Sequence, residues 1–106
     1  MRKVATIANP ACEFRRAMVY DRGDGGGVYL FLFRSPDDGP CDADYWHDDV
    51  AGAEAHAATD FGIRPSDWRP VPDPRPGCQD DWLAPVRAVR DWRGRPVPGR
   101  FDRLPD

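Results

Sequence analysis

The 106-residue chain is 41% hydrophobic and 31% charged, with twelve prolines and ten glycines, which places it in the folding range but leaves room only for few and short regular elements. Its formal net charge of −3 provides no general attraction to nucleic acid or an anionic membrane, and no run approaches the roughly eighteen apolar residues of a membrane helix. A chain of this length supports one core, because two would each bury too little apolar surface.

The bases are fourteen arginines and Lys3 alone; the acids are sixteen aspartates with Glu13 and Glu54. With abundant Ala, Gly and Pro this bias points to a GC-rich bacterial genome, so a given Arg need not imply bidentate recognition. Residues 35–81 carry twelve acidic and three basic side chains, whereas the segments on either side each carry six basic and three acidic ones. The expectation is an acidic middle facing basic ends, within one fold or across a homodimer.

Residues 1–12, which end in Asn9-Pro10 and Cys12, read as a flexible or irregular arm. Their apolar run is too short for a secretory signal, and the three cysteines, Cys12, Cys41 and Cys78, form no even disulfide set, so a cytoplasmic location with reduced thiols is expected. A domain spanning 13–92 then begins with alternation from Phe14 to Tyr20, the mark of a half-exposed strand. The glycine-rich segment 21–27 exits into Val28–Phe33, a strand, so it reads as a hairpin rather than a phosphate cradle, which leads into a helix. Val28–Phe33 is apolar on both faces and fits a central strand. Since one helix covers only one face, the other face must meet loop Trp and Pro residues or a second subunit, and this favours a homodimer.

After a turn at 35–41, residues 42–47 alternate acid with aromatic, with Ala43, Tyr45 and His47 on one face of a short strand. Asp48 or Asp49 is a candidate N-cap for an Ala-rich helix at about 49–61, with Gly62 as C-cap and Gly52, His56 and Thr59 turned away from the core. Residues 65–68 form a single turn, and 68–71 a brief strand before prolines 70, 72, 74 and 76 confine the path to an edge or a polyproline-like course. A strand pattern resumes over 83–90 around Pro85, and 93–106 reads as a Pro/Arg-rich tail. The fold class is thus α+β: a small antiparallel sheet of about four to five strands with one main helix on one face.

The residues with chemical potential cluster at 76–82, where Cys78, Gln79, Asp80, Asp81 and Trp82 share a tight loop. Asx capping and a buried indole explain most of that cluster structurally. A catalytic Cys78 or Cys41 needs His47 as its base, and a zinc site would draw on Cys41, His47, Cys78 and Asp80 or Asp81, but no paired ligand spacing is present. No cofactor or metal is expected. Four tryptophans and three tyrosines exceed what so small a core hides easily, which suits an interface. The favoured reading is a non-catalytic interaction or regulatory module, a homodimer or a binder of another protein, with Trp46, His47, Cys78, Asp80, Asp81 and Trp82 as its binding surface. A small enzyme or metal protein using Cys78, His47 and Asp80 or Asp81 is the alternative. Nucleic-acid binding through Arg87, Arg90, Arg93, Arg95, Arg100 and Arg103 with Trp92 and Phe101 is third and not expected, because the acidic belt repels phosphate.

Overall fold

The computed structural model describes residues 1–105. Its main sheet contains five antiparallel strands, β1 (Arg2–Thr6), β2 (Arg16–Asp21), β3 (Val28–Phe33), β4 (Ala43–His47) and β5 (Arg69–Val71), in the order β4-β3-β2-β1-β5. The helix α1 (Val50–Phe61) lies on one face, and β6 (Val86–Arg90) pairs with β7 (Pro96–Arg103) in a separate two-stranded hairpin. The architecture is α+β.

The β2–β3 hairpin forms because both strands present apolar side chains to both faces, in a register running from Arg16 opposite Phe33 to Asp21 opposite Val28. On one face Ala17, Val19, Val28, Leu30 and Leu32 meet Ala53 and Ala57 of α1, together with Ile7, Phe14 and Ile63. Alanine on the buried helix stripe lets the backbone approach the sheet closely while keeping the best helix propensity. Asp49 caps the helix by accepting from Gly52 N, and Gly62, at φ 68°, ends it in the left-handed conformation.

Residues 1–12 are not an arm. Arg2–Thr6 is an inner strand, paired with β2 on one side and β5 on the other, with Val4 on one face and Ala5 on the other. Two basic residues at its start obscured the alternation. Lys3 on the helix side pairs with Glu54 of α1, and Arg2 on the opposite side is only 3% exposed.

The second face carries Val4, Met18, Tyr20, Phe31 and Phe33. Of the two covers expected for it, the structure uses loops, namely 35–41 and 72–85, each held by a buried arginine. Arg2 donates from Nε to Pro72 O (2.7 Å) and from Nη1 to Asp80 O (2.9 Å) and Trp82 O. Arg16 donates to Ser35 O (3.0 Å) and Asp37 O (2.6 Å), with its guanidinium 3.8 Å above the Phe33 ring. Burial lowers the proton affinity of both guanidiniums, opposed by the nearby aspartates. The two loops are also tied to each other. Asp38 accepts from Leu83 N (2.8 Å) and Ala84 N (2.7 Å), and Asp81 accepts from Cys41 N (2.7 Å). Within the acidic middle segment Asp38, Asp42, Asp49, Asp67 and Asp81 thus accept from backbone amides.

The C-terminal strand pattern begins only at Val86, after Pro85, and part of the expected tail at 93–106 is β7. Its prolines at 96 and 98 fall where the hairpin has no third strand to receive a hydrogen bond. The hairpin is fastened at its base by Gln79 N to Val86 O (2.8 Å), Leu104 N to Pro85 O (2.7 Å) and the Trp82–Phe101 ring contact at 5.2 Å.

Candidate functional site

Of the six candidate surface residues, His47 lies on the helix side of the sheet, while Trp46 and the loop residues Cys78, Asp80, Asp81 and Trp82 lie on the other. Tyr45 and His47 of β4 point to the helix side, where Tyr45 lies opposite Leu30, while Trp46 and Asp44 point to the other side, opposite Tyr29 and Phe31. Cys78, Asp80, Asp81 and Trp82 belong to the loop that Arg2 holds over the second face.

In that loop group the polar atoms are already committed to holding the structure. Asp81 caps Cys41 N and Asp80 pairs with Arg22 at 3.1 Å. Trp82 packs at a tilt against Phe101, and its Nε1 is buried with no acceptor among the described residues. Cys78 lines a cavity of about 320 Å³ with Arg2, Pro72, Pro74, Trp82 and Pro85. The Cys41 thiol is pushed up to about 12 by burial first and then by the Asp81 carboxylate, so it stays protonated at neutral pH and is a poor nucleophile.

His47 meets a partner that sequence spacing did not reveal. Its Nε2 lies 3.0 Å from His56 Nδ1, and His56 Nε2 lies 3.0 Å from Asp60 Oδ2. The His47 and His56 rings hydrogen-bond to each other, the donor being set by their tautomers, and the Asp60 carboxylate stands beside the other nitrogen of His56. The chain runs His47 to His56 to Asp60, with the Tyr45 ring edge-on to His56 at 4.7 Å and Phe61 at 5.9 Å. His56 thus does not point away from the core as helical periodicity suggested. At the sheet edge, α1 overhangs β4, and its flank faces the strand rather than water. The usable signal was the His56–Asp60 spacing of four residues, one helical turn, preceded by a histidine at the helix entry.

This chain orients an imidazole, yet among the described residues no hydroxyl or thiol hydrogen-bonds either ring. Cys41 packs with the second face and Cys78 lies in the loop covering it, so neither is placed to be the nucleophile for His47. Among the described residues no three His, Cys, Asp or Glu side chains are arranged to hold a metal ion. The proposed Cys78–His47–Asp constellation is therefore not assembled.

The exposed features are of two kinds. On β4, Tyr45 is 45% and Trp46 55% exposed, one on each face of the strand. Trp46 is held in place, with Nε1 donating to Gly26 O (3.0 Å) and the ring lying over Gly27, where a Cβ would come within 2.1 Å of Nε1. At the tip of the C-terminal hairpin, Trp92 is 86% exposed. Among the described residues no helix is long and apolar enough to cross a membrane. No protein-family model matches the chain, and neither a curated protein nor a solved structure shows significant similarity to it.

Proposed function

We propose that the chain is a non-catalytic interaction module and that it works as a homodimer joined through the β4 edge; its placement in a bacterial cytosol rests on the composition and the odd number of cysteines. One observation carries the reading: β4 has no neighbour on its outer side among the described residues, contains no proline, and exposes Tyr45 and Trp46. An edge of this kind is a template for another strand. The opposite edge is protected, since β5 has only three residues, with Pro70 inside it and Pro72 directly after.

A second copy fits this edge by its own symmetry. Two β4 strands related by a two-fold axis at Tyr45 pair antiparallel, so that Asp44 faces the partner's Trp46 and Ala43 faces the partner's His47. Within Ala43–His47 no like charges then stand opposite one another, Asp42 and Asp48 meet just beyond the strand ends, and Tyr45 meets its own counterpart in an aromatic pair. The His47–His56–Asp60 chain serves to fix the helix-side face of that edge, and Trp46 seated on Gly27 fixes the other. A five-residue edge with two aromatic anchors is small, which suits a weak, micromolar association.

Sedimentation velocity over a concentration series tests this directly. The chain should shift from monomer to dimer across the micromolar range, and Tyr45→Lys, which sets two ammonium groups face to face at the axis, should stay monomeric with an unchanged far-UV spectrum. A wild-type chain that remains monomeric throughout, or a variant that dimerises equally well, refutes the proposal.

A further inference from the structure

The β6–β7 hairpin differs from the rest of the molecule in charge. Between Val86 and Arg103 it carries six arginines against Asp91 and Asp102. Asp91 accepts from Arg93 N and Arg95 N in the turn, so it serves as a turn acceptor. Arg87, Arg95 and Arg100 make no ion pair with any described residue, and all three are exposed. Unpaired guanidiniums on a narrow ribbon form a concentrated positive field, and their planar fork suits phosphate oxygens.

At the tip of this ribbon stands Trp92, the most exposed of the large hydrophobic side chains, with the Arg93 guanidinium 4.6 Å from its ring. An indole left in water beside a cation offers a flat surface on which another planar group can stack. The base of the hairpin adjoins the loop that carries Asp80 and Asp81, through Gln79 N to Val86 O and the Trp82–Phe101 contact. β6 spans five residues, about 16 Å at strand rise, and the longer β7 matches it through a bulge, so the ribbon still exceeds the Debye length of about 10 Å at 0.1 M salt. Repulsion from the acidic part is therefore screened at the tip, although it governs the net charge of the whole chain.

We propose that the β6–β7 hairpin binds single-stranded nucleic acid without sequence preference, its arginines following the phosphates and Trp92 stacking on an unpaired base. A single strand is favoured over a duplex because only an unstacked base presents its face to the indole. A purely acidic peptide would satisfy the arginines but would leave the ring without a planar partner. This surface is separate from the β4 edge, and its test does not depend on dimerisation.

Fluorescence anisotropy of end-labelled oligothymidylate and oligouridylate, each about twelve nucleotides long, provides the readout. With about four phosphates engaged, affinity should fall about 50-fold between about 50 and about 200 mM salt. Trp92→Ala should weaken binding by about five- to a hundredfold, whereas Trp92→Phe, which keeps a stacking ring, should retain most of it. Arg95→Ser with Arg100→Ser should reduce the slope of log affinity against log salt by about 1.4. These side chains are exposed, and circular dichroism confirms that each variant is folded. The proposal is overturned if the oligonucleotides fail to bind at the lower salt. It is equally overturned if a duplex or polyglutamate binds as tightly and Trp92→Ala changes nothing, which would mark the hairpin as a surface for acidic polymers in general.

Discussion

Replacing Arg2 by Met would test whether buried arginines, rather than a second subunit, close the lower face of the sheet. The change keeps an apolar stem of similar length over Val4 and Tyr20 but removes the guanidinium that binds three carbonyls, at Pro72, Asp80 and Trp82. A hydrogen bond from a charged group contributes about 1.5–3 kcal/mol, and relief from desolvating a residue only 3% exposed offsets part of the three lost bonds. A net loss of about 3 kcal/mol is expected. For a domain of this size that lowers Tm by about 12–24 °C. Local opening should come first, so limited proteolysis should cut within 72–85 before the sheet unfolds. Thermal melts by far-UV circular dichroism, with timed proteolysis alongside, provide the assay. An Arg2→Met chain melting within about 2 °C of wild type, with no new cleavage in that loop, would refute the assignment.

Three further outcomes are expected. Gly27→Ala places a Cβ at 2.1 Å from Trp46 Nε1 at a φ of 99°, so it should displace the indole, cost about 2 kcal/mol and shift Trp emission to the red; unchanged emission would show that Trp46 is not seated there. Asp81→Ala frees the half-buried Cys41 N–H and should destabilise by about 1 kcal/mol, whereas Asp80→Ala, losing a solvent-screened pair with Arg22, should leave stability nearly unchanged; equal urea midpoints for the two variants would contradict the distinction. For Cys41, the folded thiol at about 12 holds its proton more tightly than the unfolded thiol near its ordinary value of 9.0, so its contribution is intact below that value and is lost as pH rises toward 12. Wild type should therefore lose more stability than Cys41→Ala between about pH 8 and about pH 11, and iodoacetamide should modify Cys41 more slowly than an ordinary free thiol at neutral pH; parallel pH profiles and rapid labelling would be the contrary result.

The sequence made visible whatever is encoded by neighbours in the chain. Alternation located β2 and β4, a run apolar on both faces located β3, and Asp49 and Gly62 bounded α1 to within a residue, because strand pattern and helix caps are local physics. β1 was missed because a strand whose first two residues are Arg and Lys looks solvated unless long-range partners, Pro72 and Asp80 for one and Glu54 for the other, are known. β7 was hidden by Pro96, Pro98 and Gly99, which a hairpin without further neighbours tolerates.

Of the candidate residues, Trp46 proved exposed, whereas Asp81 proved to be a cap whose target, Cys41 N, lies forty residues away. Asp38 is similar, since its two amides are 45 and 46 positions distant. Such caps leave no trace in spacing, so an acidic run that closes loops reads like one that faces water. His56 was misplaced for a related reason: periodicity assigns the side of a helix but not whether an edge strand lies beneath that side.

The central claim is that β4 is a strand-pairing edge filled by a second copy, and amide hydrogen exchange followed by NMR at low and high protein concentration tests it at residue level. The account predicts that protection within Ala43–His47 rises with concentration, while the amides of β5 and of the β6–β7 hairpin stay unchanged. Concentration-independent exchange in β4, or protection that grows at β5 or the hairpin instead, would contradict it.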